Sequence, residues 1–354
     1  MTEPNSEILF DRRGTAGLAT LNRPQALNAV TLGMVRLFTR QLQEWAADPA
    51  ITRVVVQAAG GRAFSAGGDI RVLYDFGRAG RYAEMLPFWR EEYILNAMIK
   101  RYLKPYIALI DGIVMGGGVG LSVHGSHRVA GDRFLFAMPE VGIGFFPDVG
   151  ATWFLPRLPG ELGSYCALTG ERLTAADSVA ATVATHRIAS ARFGELADAL
   201  CGAVSVDATL AAFAEPANEA PLAARRAAID RLFKGDRVEQ ILAALDAEAA
   251  AGGLDAGFAA TSAAAIRTKS PTSLKLALAQ VRAGAGLSFE ACMQTEFRIV
   301  SRIIHGHDFY EGVRAVIVDK DNAPRWRPTT LAGVLQAEIA RHFAPLARDE
   351  LVLP

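Results

Sequence analysis

The chain has 354 residues, and its 37 lysines and arginines are balanced by 37 aspartates and glutamates. Half of it (51%) is hydrophobic and 21% is charged, which excludes a disordered or fibrous chain and leaves room for one large domain or two. Zero net charge removes the long-range field of a nucleic-acid binder, so an anionic ligand would need a local basic patch.

Taken in chain order, residues 8–21 hold two apolar runs around a glycine turn, the pattern of a hairpin ended by Asn22-Arg23-Pro24. Thr31 then caps a helix with Met34, Val35, Phe38, Leu42 and Trp45 on one face, stopped by Asp48-Pro49. Val54–Val56 reads as a short buried strand, 84–101 as a helix and Tyr106–Ile110 as a further strand. Strands alternating with helices in ββα units imply an α/β fold. After about residue 205 alanine-rich helical spacing takes over, at 206–213, 220–233, 236–251 and 253–267. Pro271 suits a first helical turn over 271–283, followed by 288–305, a short apolar segment at 315–318 and a last helix at 330–343. Two regions are expected: a core over 1–205 and a helical C-terminal region over 206–354.

No membrane partner is expected, because Asp111 and crowded glycines interrupt the most apolar stretch, Tyr106–Val123. The N-terminal MTEPNSEILFDRRG lacks the basic and apolar regions of a signal peptide. Cys166, Cys201 and Cys292 are too dispersed for a disulfide framework. The resulting expectation is a cytoplasmic protein.

Two glycine clusters stand at strand-to-helix junctions: Phe64-Ser65-Ala66-Gly67-Gly68-Asp69-Ile70, and Met115-Gly116-Gly117-Gly118-Val119-Gly120. Glycines there leave backbone N–H groups uncovered, and two such junctions can aim two donors at one oxygen. Neither cluster has nucleotide-loop spacing, and no Gly-Lys dipeptide exists. Residues 120–124 approach a nucleophile elbow but carry His124 where glycine is required. Downstream, Glu140 and Asp148 are embedded in an apolar Gly/Pro-shaped loop, FAMPEVGIGFFPDVG over 136–150. Desolvation there raises a carboxyl pKa toward the range useful for proton transfer. Asp148 could instead cap a helix starting near Ala151. His124, His127, His305 and His307 lack metal-site spacing and read as structural, so no metal is expected.

Together these segments resemble the crotonase (enoyl-CoA hydratase/isomerase) superfamily, through Leu21-Asn22-Arg23-Pro24, Leu27-Asn28-Ala29, SAGGDI at 65–70, the triple glycine and Pro139-Glu140. They are most similar to its 3-hydroxyisobutyryl-CoA hydrolase branch, through Arg90-Glu91-Glu92-Tyr93, MGGGVGLSVHG at 115–125, FPDVG at 146–150, Phe154-Leu155-Pro156-Arg157-Leu158, GHDFYEGVRA at 306–315, Asp319-Lys320-Asp321 and Pro324-Arg325-Trp326. The resemblance implies a ββα spiral core and hydrolysis of a short 3-hydroxyacyl-CoA in valine degradation. Hydratases of the superfamily carry a catalytic glutamate two residues beyond the triple glycine, where this chain has Gly120.

By the same resemblance Gly68 and Gly117 form an oxyanion hole. Glu140 activates water or attacks the carbonyl itself. Asp148 holds the 3-hydroxyl, Glu92 lines the acyl pocket, and coenzyme A lies along Arg23, Leu27, Asn28 and Ala66. Arg62, Arg71 and Lys320 are further candidates for its phosphates. No cofactor is implied, since coenzyme A is part of the substrate, and a homotrimer or its multiples would be common in the superfamily. The alternatives are a hydratase or isomerase on the same fold, and an acyl-CoA-binding protein without turnover.

Overall fold

The structure, a computed structural model, describes residues 6–215 and 219–353; the first five residues of the N-terminal segment lie outside them. The expected hairpin is β1 (Ile8–Arg13) and β2 (Ala16–Leu21), antiparallel from Ile8 opposite Leu21 to Arg13 opposite Ala16. Helix α1 (Leu32–Ala47) starts at Thr31, whose hydroxyl accepts the Met34 N–H at 3.1 Å, and buries the five apolar residues of the expected face.

The chain then alternates between two sheets. β3 (Arg53–Ala58) is followed by β4 (Ala63–Ser65), α2 (Ile70–Arg78) and α3 (Tyr82–Lys100). Next come β5 (Tyr106–Ile110), β6 (Ile113–Met115) and the short α4 (Gly117–Gly120), then β7 (His127–Ala130) and β8 (Leu135–Ala137). β3, β5 and β7 are parallel neighbours in one sheet, while β4, β6 and β8 are parallel neighbours in the other. Each strand pair therefore advances one place in both sheets, and the chain winds as a spiral of ββα units. The first glycine cluster thus follows its own strand, β4, rather than β3 directly.

Helices α5 (Ala151–Phe154) and α6 (Leu162–Thr169) lead to β9 (Leu173–Thr174), α7 (Ala175–Ala180), β10 (His186–Arg187), α8 (Phe193–Leu200) and α9 (Val206–Phe213). The described residues that follow form the helices α10 (Arg226–Leu232), α11 (Val238–Ala251), α12 (Ala256–Arg267), α13 (Pro271–Gly284), α14 (Phe289–Ile303), α15 (His307–Val313) and α16 (Gln336–Phe343). Pro271 occupies the first turn of α13, behind a Ser270 cap. The segment 314–318 is a π turn continuing α15. The single helix expected over 330–343 divides instead into a 3-10 turn, Leu331–Gly333, and α16, because Val334 and Leu335 are extended.

Val54 and Val56 face the main core while Val55 faces a second apolar cluster with Leu196, Leu200, Leu210 and Phe213 of α8 and α9. Burial on both faces is why β3 reads as an unbroken valine run. The main core runs from Ile8 to Leu351, so spiral and C-terminal helices share it, and α9 covers the outer face of the spiral sheet. Among the described residues no helix is long and apolar enough to cross a membrane, and all three cysteines are free thiols.

Candidate active site

The two glycine clusters meet through Val30. The Val30 N–H donates to the Gly67 carbonyl and the Asp69 N–H donates to the Val30 carbonyl, both at 2.8 Å. Because those groups alternate along an extended segment, the Gly68 N–H faces the other way. Gly117 is the first residue of α4, where an N–H has no partner within the helix. A Cβ placed on Gly117 would lie 3.3 Å from the Gly68 nitrogen, so both donors border one space. Gly67 (φ +118°) and Gly116 (φ +45°) make the turns that bring them there, in backbone conformations that disfavour side chains.

That space is part of a cavity of about 390 Å³ lined by Ala66, Gly68, Gly117, Glu92, Glu140 and Asp148, together with apolar side chains such as Phe88, Trp89 and Phe145. Glu140 opens a 3-10 turn, Glu140–Ile143, closed by Gly144 at φ +68°. Burial pushes its carboxyl well above the usual range, and the neighbouring Asp148 adds to the shift. Among the described residues its Oε2 has no hydrogen-bond partner. Burial also raises Asp148, to about 7, opposed by the Tyr93 hydroxyl that donates to its Oδ2 at 2.8 Å. Glu92, from α3, is raised by burial first and then by Asp148 and Glu296, and its Oε1 is likewise unpartnered. Three interacting acids in one apolar pocket titrate as a group rather than singly.

The segment carrying Asp148 is held at successive residues. Gln280 of α13 donates to the Pro147 carbonyl, and His124 donates through Nε2 to the Val149 carbonyl at 2.7 Å. The carbonyl can only accept, so Nε2 carries the proton, and burial lowers this histidine to about 4, keeping it neutral. Both Glu296 oxygens accept backbone N–H groups, from Gly150 and Thr152, each at 2.8 Å. Asp148 does not cap the helix that follows: Gly150 occupies the cap position, and the Asp148 side chain turns to Tyr93 instead.

Tyr93, His124, Gln280 and Glu296 were not singled out from the sequence as members of the site. The available signal was position, since Glu296 sits four residues from both Cys292 and Val300 on the buried stripe of α14. A Glu296→Gln protein would turn an amide NH₂ toward one of the two N–H groups and leave a buried donor unpaired. We expect a stability loss of ~1–3 kcal/mol, read as a lower urea midpoint.

Around the rim, Arg23 is engaged by the chain itself: by Glu7 and Asp69, each at 3.0 Å, and by the Ala29 carbonyl. Asn28, buried at φ +54°, donates to the Ala59 and Ala63 carbonyls and accepts the Arg23 N–H. The Leu27 carbonyl accepts the Ala66 N–H at 3.0 Å. Arg71 pairs with Asp75, and neither Arg71, Arg62 nor Lys320 lines the cavity. Among the described residues the cation that does is Lys269, its pKa lowered by burial, and Val316 and Ile317 of the π turn line the same space. The block at 306–315 packs beneath the Glu140 turn. A Cβ on Gly144 would lie 2.0 Å from the Asp308 carbonyl oxygen, and the Asp308 carboxylate accepts the Ser270 hydroxyl at 2.6 Å and the Arg327 N–H at 2.7 Å.

Gly120 carries no acid, and the space beside it is filled. A Cβ there would meet the Asn96 Nδ2 at 2.7 Å and the Val149 Cβ at 2.8 Å. Among the described residues no group of three or more His, Cys, Asp and Glu side chains is placed to hold a metal ion.

Residues 16–343 match the family model described as enoyl-CoA hydratase/isomerase. A Danio rerio protein named 3-hydroxyisobutyryl-CoA hydrolase, mitochondrial, is 46% identical across 99% of this chain and 93% of its own length. The crystal structure of a carnitinyl-CoA dehydratase from Mycobacterium thermoresistibile superposes with a TM-score of 0.92 at 43% identity, covering 98% of this chain and 99% of that one. That of an enoyl-CoA hydratase from Rhodobacter sphaeroides 2.4.1 gives 0.91 at 38% identity, covering 98% and 100%. The expectation of a cytoplasmic protein is overturned by the mitochondrial relatives, represented by the Danio rerio enzyme. Dispersed cysteines and neutral charge suit any reducing compartment and could not separate the two. With nearly the whole length matched and the spiral architecture shared, the chain belongs to the enoyl-CoA hydratase/isomerase family.

Proposed function

We propose that this protein hydrolyses the thioester of a short 3-hydroxyacyl-CoA, 3-hydroxyisobutyryl-CoA in the first place, to the free acid and coenzyme A, a step of valine catabolism. One observation carries this reading. Glu140 and Asp148 share a buried cavity with Gly68 and Gly117, while the flank of Gly120 is packed by Asn96 and Val149. Adding water across a double bond calls for a coordinated base and acid at the α and β carbons, and a side chain at Gly120 is unavailable for it. The name of the Danio rerio relative supports the same substrate. The names of the similar solved structures point to dehydration and hydration instead, and the packing at Gly120 weighs against that second reading.

In the proposed reaction the thioester oxygen accepts the Gly68 and Gly117 N–H groups, an oxyanion hole in which each donor is worth ~2.7–4 kcal/mol of barrier. Ionised Glu140 gives its electron pair either to a proton of water or to the carbonyl carbon. Both routes end with a new C–O bond, a broken C–S bond and a protonated thiol. Asp148 receives the 3-hydroxyl and Glu92 borders the acyl end. Coenzyme A runs past Arg23, Leu27, Asn28 and Ala66, with Lys269 supplying the local positive charge. Water is the only co-reactant, so no cofactor or metal is required.

The test compares thiol release from 3-hydroxyisobutyryl-CoA and isobutyryl-CoA. The parent protein should prefer the hydroxylated substrate, and Asp148→Asn should abolish the preference. Equal rates with both substrates in the parent would remove the proposed role of the hydroxyl.

Asp148 also carries a stability prediction. Its folded pKa is raised from 3.8 to about 7. The folded protein therefore keeps a proton that the unfolded chain releases, and the contribution present below the unfolded value is lost as pH rises to about 7. Asp148→Asn, which cannot ionise, should gain stability relative to the parent between about pH 4 and pH 8, measured by urea midpoints. A difference independent of pH would refute the raised pKa.

A further inference from the structure

Behind the segment that carries Asp148 lies a separate cavity of about 230 Å³, sharing no lining residue with the first. Lys100, Arg128 and Arg157 line it, with His124 and Trp153, and among the described residues no carboxylate is in its walls. Both guanidinium groups are fixed by backbone carbonyls: Arg128 by Val183, Gly125 and Thr182, Arg157 by Trp153, Gly284 and Leu287. Carbonyls orient these cations without neutralising them, and each keeps further N–H groups, since a guanidinium carries five. Lys100 has no hydrogen bond or ion pair among the described residues; its Nζ stands 4.0 Å from the Trp153 ring centroid. Burial depresses its pKa, and Arg128 and Arg157 depress it further. Three converging, uncompensated cations in a partly desolvated pocket are the electrostatic complement of an anion.

His124 adds a second feature. Its Nε2 is engaged by the Val149 carbonyl, so Nδ1 is a bare lone pair, and that atom is buried with no hydrogen-bond partner among the described residues. None of the three cations donates to this lone pair among the described residues, so a hydroxyl brought by a bound group would satisfy it. The group that fits both features offers negative oxygens to the cations and one acidic O–H to the histidine. We propose that Lys100, Arg128, Arg157 and His124 form a second binding site that takes a protonated oxyanion of the hydrogen-phosphate type. Sulfate, of the same shape but without a proton at neutral pH, lacks the O–H. The bound anion would sit one hydrogen bond away from Val149, the neighbour of Asp148.

Isothermal titration of the full chain with inorganic phosphate tests this, with sulfate as the matched control. The expected result is saturable binding of one phosphate, tighter than sulfate and unchanged by saturating coenzyme A. Lys100→Met should weaken it by about tenfold or more, the scale of one charge-assisted hydrogen bond. The same variant should keep its circular dichroism spectrum and its thiol-release activity in phosphate-free buffer, which separates loss of the site from loss of the fold. Absence of saturable binding to the parent would overturn the site, as would binding untouched by Lys100→Met or displaced by coenzyme A. Sulfate binding as tight as phosphate would overturn the part given to His124.

Discussion

Replacing Glu140 by glutamine is expected to lower kcat for thiol release by ~10²–10⁴, the range of a lost general base. Glutamine keeps the size of the side chain and its place at the start of the 3-10 turn, so packing against the cavity wall is preserved. It loses the one property that both proposed routes need, an electron pair on an ionised oxygen. The parent carboxyl is buried, with Oε2 free of any protein partner among the described residues. No ion pair breaks on substitution, and the raised pKa means that removing the charge relieves a desolvation cost. Stability should therefore hold or rise while turnover falls, a split that global misfolding cannot produce. Stopped-flow thiol detection, with urea denaturation of the same preparations, measures both. Retention of most of the activity would remove Glu140 from the mechanism.

Gly117→Ala is expected to cost ~10²–10³ in kcat, the scale of one lost oxyanion donor. The added methyl would stand 3.3 Å from the Gly68 nitrogen, in the space where the thioester oxygen must approach, and 2.6 Å from Glu92 Oε1. The second contact is with the far end of a side chain, so the backbone can keep its course. Alanine also removes a flexible residue from the first turn of α4. Fold loss is not the expected outcome; a protein that still binds coenzyme A with its original affinity but turns over slowly is. Gly120→Ala makes a useful contrast, because its methyl would press on Asn96 and Val149 rather than on the donors. An unimpaired Gly117→Ala enzyme would show that the two N–H groups do not receive the substrate oxygen.

Much of the architecture was legible because local signals agreed with the tertiary result. Thr31, the apolar spacing of α1 and Asp48 each marked the same helix, and Pro271 marked the start of α13. Glycines 67, 68, 116 and 117 were legible for a backbone reason, since turns at positive φ and close approach leave few alternatives. The division of the last helix was not, because Val334 and Leu335 are compatible with a helix and only their extended backbone separates the two parts. Nor was the grip on the Asp148 segment. Glu296 and Gln280 lie more than a hundred residues downstream of the carbonyl and amide groups they bind, and no local pattern announces a pairing that distant. Arg23 shows the converse. A surface arginine beside a binding turn looks like a phosphate ligand, yet Glu7, Asp69 and the Ala29 carbonyl already engage it.

One paired assay separates hydrolysis from hydration directly. The purified full chain is given 3-hydroxyisobutyryl-CoA with a thiol reagent and, in parallel, crotonyl-CoA with the conjugated enoyl absorbance followed. Thiol release from the first, with no loss of absorbance from the second, is the expected result. Loss of the enoyl absorbance without thiol release would contradict the hydrolase and restore a hydratase on this fold.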